Sequence, residues 1–187
     1  MSIKELKIKG VFEIKLSPNV DFRGFFMRTY DEKIFKQYNL NTRWVQESHS
    51  LSLKKWTVRG IHFQHPPYVE TKLIRVIRGE ILFAIIDLRF ESETFGKWIQ
   101  IVASAKKENM IYIPKGCAPG MCTLTANSQI IYKMDQFFTP KSYDNIKWDD
   151  PDLAIDWPTK NPTDISERDL NAQSFKEFVK KYGGLKV

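Results

Sequence analysis

Turn-forming residues interrupt this chain so often that most of it has room only for short strands. Residues 11–16 alternate apolar and polar positions and stop at Ser17-Pro18-Asn19. Similar runs cover residues 25–30, 44–50, 58–64, 72–77, 81–88, 98–103, 110–113, 121–125 and 129–134, with Gly, Pro, Asn or charged turns between them. Runs of this length, bounded by turn residues, are the mark of strands. Arg78-Gly79-Glu80, set between two of them, predicts a hairpin. Helical spacing is confined to two places. Ile34, Phe35 and Tyr38 follow a capping Asp31, and from Ser166 onward Leu170, Phe175 and Phe178 recur at helical intervals. There is no repeat and no linker. The expectation is an all-β sandwich or jelly-roll barrel, with short helices near the N-terminal third and at the C-terminus, in one domain over residues 1–187. Residues 81–86 are apolar on both faces. Something must cover the outside of that strand, and another subunit is the expected cover.

Composition narrows the function classes. A chain of 187 residues with 42% hydrophobic and 13% aromatic residues can bury a sizeable core. Its clearest apolar run, residues 81–86, is far short of the ~18 residues that suggest a membrane span. Residues 1–10 alternate Lys with Ile and Leu and carry no apolar stretch of the secretory kind. Cys117 and Cys122 give no disulfide framework, so two reduced thiols and a cytoplasmic location are expected. Neither has a neighbouring His to activate it. The net charge of +7 comes from scattered Lys and Arg rather than from a block. That pattern argues against nucleic acid and membrane as partners and permits a phosphate-bearing small molecule.

The most informative segment is Val58-Arg59-Gly60-Ile61-His62-Phe63-Gln64. Read as one strand, it puts Gly60, His62 and Gln64 on one face and Arg59, Ile61 and Phe63 on the other. Small and polar neighbours give His62 room, and imidazole suits proton transfer near neutral pH. A structural histidine fits the same pattern. Lys72 shares a strand face with Ile74 and Val76, which is costly for an ammonium without a partner or a task. Snorkelling from the strand end is the alternative. His62, His65 and Glu70 could also start a metal site. The later strand that usually completes such a site offers Pro119, which cannot ligate, so no metal is expected.

Asp21-Phe22-Arg23-Gly24-Phe25-Phe26, Gln46-Glu47-Ser48-His49-Ser50, the segment around His62, and Thr71-Lys72-Leu73-Ile74 follow one another in the first half. Ile113-Pro114-Lys115-Gly116, Tyr132-Lys133, Trp148-Asp149-Asp150-Pro151 and Ser166-Glu167-Arg168-Asp169 follow in the second. In this order, and over nearly the whole chain, they resemble the dTDP-4-dehydrorhamnose 3,5-epimerase family. The resemblance implies a cupin-like jelly roll, a homodimer with an exchanged N-terminal strand, and no metal or other cofactor. It implies a nucleotide-diphosphate 4-keto sugar as substrate, inverted at C3, C5 or both. His62 matches the base and Asp169 the residue that orients it. Tyr132 matches the acid, and Lys72 the lysine that stabilises the enolate. Arg59 matches a pyrophosphate contact. Arg23 and Phe26 match residues that reach the nucleotide from the neighbouring subunit, and Gln46 and Arg168 are further substrate contacts. These residue types suit the chemistry. A hydrogen next to a ketone becomes acidic as the carbonyl oxygen takes negative charge. A base on one face, a cation at the oxygen and an acid on the other face are then needed.

The sequence departs from the family at Pro119, where a His is usual, and at Phe137-Phe138, where two tyrosines are usual. Arg28 replaces a Glu and Ser48 an Asn. All fall on expected substrate contacts. They predict a related sugar nucleotide, not necessarily dTDP-linked, and inversion at one carbon only. A sugar-nucleotide 3,4-ketoisomerase, a non-catalytic sugar-nucleotide-binding cupin and a metal-dependent oxygenase are the competing readings.

Overall fold

The computed structural model describes Met1–Val187. The N-terminal part holds β1 (Ser2–Glu5), β2 (Phe12–Lys15), β3 (Asn19–Asp21), β4 (Gly24–Phe26) and helix α1 (Glu32–Gln37). Next come β5 (Gln46–Ser52), β6 (Val58–Arg59), β7 (His62–Gln64), β8 (Lys72–Arg78) and β9 (Glu80–Asp87). Then follow β10 (Trp98–Ser104), β11 (Asn109–Ile113), β12 (Cys117–Thr123), β13 (Ser128–Met134) and β14 (Tyr143–Asn145), and last α2 (Glu167–Leu170) and α3 (Phe175–Tyr182). The strands form a six-stranded sheet, β1-β2-β11-β8-β13-β5, and a four-stranded sheet, β10-β9-β12-β6, with β14-β7 and β3-β4 as separate pairs. Every strand pairing is antiparallel. This is the expected jelly-roll barrel, and no helix is long and apolar enough to cross a membrane.

The period-two pattern explains the packing. Ile74, Val76, Ile111, Ile113 and Ile130 of the large sheet meet Ile81, Phe83, Ile85 and Met121 of the small one in the barrel core. On β9 the intervening Leu82, Ala84 and Ile86 face outward. Their cover is the chain's own C-terminal half, through Trp148, Trp157, Ile146 and Phe178, not another subunit. The expectation of a partner there fails because the returning segment already buries that face. On the other side α1 lays Phe35 over the large sheet, against Leu73, Met110 and Tyr112. The Asp31 carboxylate accepts from the Lys33 and Ile34 amides, so the expected cap is present.

Three expected strands differ from those observed. Residues 25–30 form a strand only to Phe26. The run expected at 121–125 begins already at Cys117, so Pro119 lies within β12. That is tolerated because β6 pairs β12 only at Met121 and Cys122. Residues 58–64 are not one strand. β6 pairs with β12 and β7 with β14, and the chain changes sheets at Gly60-Ile61. Gly60 has φ +109°, and a Cβ there would lie 2.8 Å from the Gly120 Cα and 2.9 Å from the Pro119 carbonyl oxygen.

Candidate active site

The sheet change at Gly60 decides which side chains meet. Strict alternation would put Arg59 and His62 on opposite faces. Because the strand breaks between them, both turn into one cavity of about 400 Å³, while Ile61 enters the outer core and Gln64 is buried behind the cavity. Register supplies the facing wall. On β13, Ile130, Tyr132 and Met134 stand opposite Ser50, Ser48 and Gln46 of β5, and Tyr132 and Met134 stand opposite Ile74 and Lys72 of β8. All eight line the cavity. The small sheet adds Phe83, Pro119, Gly120 and Met121. Phe138, Tyr143 and Arg168 complete the lining, with the Tyr143 ring in contact with both of the others.

His62 is held by a carboxylate from behind. Its Nε2 lies 2.6 Å from Asp169 Oδ1, with side-chain exposures of 25% and 4%. Ser166 caps α2 by accepting from the Asp169 amide at 3.1 Å, which fixes that carboxylate in the first helical turn. Asn145 Nδ2 also donates to Asp169 Oδ1, at 3.1 Å. Burial pushes the Asp169 carboxyl up, but the hydrogen bonds from His62 and from the Gly60 amide, with the charge of His62, hold it below the ordinary range. An ionised partner at Nε2 keeps the proton there, so the lone pair sits on Nδ1.

Lys72 is neither snorkelling nor unpaired. Its Nζ lies 3.0 Å from Glu70 Oε1, both side chains being about nine-tenths buried. Gln64 Nε2 donates to the other Glu70 oxygen at 3.2 Å, and to the carbonyls of Tyr68 and Phe137. Gln64 therefore supports the ion pair. Two of the three Lys72 N–H donors remain for a ligand. Arg59 donates from Nε to Ser52 Oγ at 3.2 Å and from Nη2 to the Leu51 carbonyl at 3.3 Å. Arg168 donates to the Tyr143 carbonyl at 3.1 Å and lies 3.9 Å over the Tyr143 ring. Neither guanidinium has a carboxylate partner, which leaves both free for an anion.

Of the residues singled out in the sequence, the fold brings together His62, Tyr132, Lys72, Arg59, Gln46, Ser48, Pro119, Phe138 and Arg168, with Asp169 behind His62. It does not bring Arg23, Phe26 or Arg28 to this cavity. Arg23 and Phe26 sit on the exposed β3-β4 hairpin, where Arg23 pairs with Asp21 at 2.6 Å, and Arg28 pairs with Asp31 at 3.1 Å. The metal alternative also comes apart. His65 lies outside, 2.8 Å from Asp144 and packed 4.2 Å from the Tyr182 ring, so it shares no centre with His62 and Glu70. Burial pushes Cys117 and Cys122 up to about 12 and about 11, which makes both inert at neutral pH. Two site residues were not foreseen in these roles. Glu70 had weight only as a metal ligand, although its position two residues before Lys72 was a usable hint. Tyr143 lies beyond the last expected strand and outside the motifs, and gave none.

The family model for dTDP-4-dehydrorhamnose 3,5-epimerase matches residues 5–177. The chain belongs to this family. It is accordingly an isomerase of the sugar-nucleotide epimerase type, and the resemblance read from the motifs stands. A dTDP-4-dehydrorhamnose 3,5-epimerase of Shigella flexneri is 37% identical over 176 residues, covering 94% of this chain and 96% of the relative. The crystal structure of a 4-keto-6-deoxy sugar epimerase from the novobiocin cluster of Streptomyces spheroides superposes with a TM-score of 0.92 at 30% identity, over 100% of this chain and 93% of its own. A Legionella pneumophila dTDP-6-deoxy-D-glucose-3,5-epimerase, solved in complex with dTDP-4-keto-L-rhamnose, superposes at 0.91 with 30% identity, over 100% and 98%.

Proposed function

We propose that this epimerase inverts C3, C5 or both in a nucleotide-linked 4-keto-6-deoxy sugar, with His62 as the base that starts each inversion. The observation that carries this is the 2.6 Å contact between Nε2 of His62 and buried Asp169, with the ring opening on the hollow that also holds Lys72 and Tyr132. His62 Nδ1 takes the proton from the carbon next to the ketone. The C–H electron pair moves to the C4 oxygen, giving an enolate, and Lys72 donates a hydrogen bond to that oxygen. Tyr132 returns a proton to the opposite face. The imidazolium and phenolate then re-equilibrate with solvent, so the reaction is a net isomerisation and balances without a metal. Arg59 and Arg168 suit a pyrophosphate, and the dTDP-sugar complex of the Legionella relative supports a nucleotide there.

Inversion at a single carbon has one specific observation in its favour. Pro119 lines the cavity where the family resemblance expects a His, so Lys72 meets the C4 oxygen without help from that side. A homodimer is part of the same reading. The β3-β4 hairpin leaves Val20, Phe22, Phe25 and Phe26 exposed, Phe22 at 98%, and an apolar arm of this kind needs a partner. Reaching a second copy would carry Arg23 and Phe26 to its cavity. The two free thiols suit the cytoplasm.

Incubation with dTDP-, GDP- and CDP-linked 4-keto-6-deoxy sugars in D₂O, followed by NMR, tests the reading. Deuterium at C3, at C5 or at both is the expected result and names the carbons. No incorporation from any of the three overturns it.

A further inference from the structure

Phe138 lines the cavity where the family resemblance expects a tyrosine, yet the cavity holds a second phenol that the motifs do not announce. Tyr143, on β14, lines the cavity with its ring centroid 5.3 Å from the His62 ring and 5.3 Å from Phe138. Three contacts fix the ring. Phe138 meets it edge-on, Arg168 covers it at 3.9 Å, and β14 pairs with β7 so that Tyr143 lies opposite Gln64. Burial pushes the phenol pKa upward, and Asp169, Tyr132 and Glu70 add to the rise against Arg168, so the group stays protonated at neutral pH. The side-chain hydrogen bond at Tyr143 goes from Arg168 to its backbone carbonyl and not to the phenol oxygen. A fixed, neutral phenol at the edge of a polar hollow is a hydrogen-bond donor kept for a ligand.

We propose that Tyr143 is a specificity-determining residue whose hydroxyl binds the C2 hydroxyl of the sugar, which stays in place while C3 or C5 inverts. The inference rests on the function proposed above and assigns a contact within it. Tyr143 sits beside the base, so it is poorly placed to return a proton to the face opposite His62, which is the task left to Tyr132. A hydroxyl on an inverting carbon swings between axial and equatorial during the reaction. A rigid donor keeps its bond through every step only with a hydroxyl whose carbon does not change. Of the two ring hydroxyls, at C2 and C3, only the one at C2 sits on a carbon left unchanged whether C3, C5 or both invert. A contact kept throughout strengthens ground and transition states alike, and so acts on KM and not on kcat.

The test compares unaltered protein and Tyr143→Phe with dTDP-4-keto-6-deoxyglucose and with its 2-deoxy analogue, following deuterium wash-in from D₂O. For the unaltered protein the 2-deoxy analogue should raise KM about fivefold to tenfold, the value of one neutral hydrogen bond. Tyr143→Phe should raise KM for the hydroxylated sugar by the same factor, leave kcat within about threefold, and show no further loss with the analogue. Equal KM for both sugars in the unaltered protein overturns the assignment, with no variant needed. Loss of all exchange in Tyr143→Phe overturns it as well, because the phenol would then be a proton donor. If the unaltered protein exchanges with neither sugar, nor with GDP- or CDP-linked ones, it is the epimerase reading that fails.

Discussion

Replacing Asp169 by Asn removes one charge and changes no volume, so it probes the orienting carboxylate alone. In the structure Oδ1 takes both the His62 and Asn145 contacts, at 2.6 and 3.1 Å, while Oδ2 faces the Gly60 amide at 3.4 Å. An amide in that place has two orientations. With its oxygen at the Oδ1 position, the NH₂ confronts the Gly60 N–H. With its NH₂ there, it confronts the Asn145 amide and donates to Nε2, which forces the ring proton onto Nδ1 and removes the base. In either orientation the imidazolium formed during catalysis loses a charged partner. A hydrogen bond to a charged group is worth about 1.5–3 kcal/mol, or one to two decades in rate. A share of the wrong tautomer adds roughly another. Asp169→Asn should therefore lower the rate of deuterium wash-in by about 10²–10³-fold with little change in KM, within the range general-base groups supply. NMR of the ¹⁵N-labelled ring should report a shift of the proton from Nε2 toward Nδ1. Wash-in within threefold of the unaltered protein, with the fold intact by circular dichroism, would refute the argument that this carboxylate sets the base.

Gly60→Ala should cost on the order of 2–4 kcal/mol in denaturant unfolding, because its Cβ meets backbone at 2.8 and 2.9 Å and its φ disfavours any side chain. Asp87 is fully buried, and although burial works to raise it, bonds from Arg89, Ser92 and Thr94 hold its carboxyl at about 2. Because this folded value is depressed, its contribution of about 2 kcal/mol is present above the ordinary carboxylate range and is lost as pH falls from about 4 toward 2. Asp87→Asn should remove that part of the acid sensitivity in urea titrations at pH 6 and pH 3. Phe22→Asp on the exposed hairpin should shift sedimentation toward the monomer and lower exchange activity in proportion, whereas a monomer with full activity would contradict the exchanged arm.

The fold was legible because its determinants are local. Alternating runs and turn residues mark most strands, and Asp31 caps α1 as its chemistry demands. What escaped reading is what depends on pairing across the chain. Nothing in Val58 to Gln64 says that the strand breaks at Gly60, since the cause is the backbone of Gly120 and Pro119, some sixty residues on. That one break moves Arg59 from the expected opposite face to the side of His62. The cover of residues 81–86 was misread for the same reason. Two apolar faces show that a second layer exists, but not whether Trp148, Trp157 and Phe178 or another molecule provides it. His62, Lys72, Tyr132 and Asp169 stand out through the order of motifs, and the fold puts the first three in one cavity with Asp169 behind His62. Tyr143 was missed because β14 is three residues long and its place in the site depends on pairing with β7.

The charges along the cavity give the proposed chemistry its direction. Its lining carries three permanent cations, Arg59, Lys72 and Arg168, against the single carboxylate of Glu70. Glu70 is spent on Lys72, so the Lys72 end is close to neutral before substrate arrives. Arg59 and Arg168 have no acid, and the positive surplus therefore lies with them, where a diphosphate would be drawn. Near neutrality at the reacting end matters because an ammonium already paired attracts a neutral ketone weakly. It responds most when the C4 oxygen becomes an enolate, which is the differential binding that catalysis needs. An unpaired lysine would instead hold the pyrophosphate and misplace the sugar. On this reasoning Glu70→Gln should increase binding of dTDP alone while lowering the rate of exchange. If it weakens both equally, the division of charge between the two ends is not what orients the substrate.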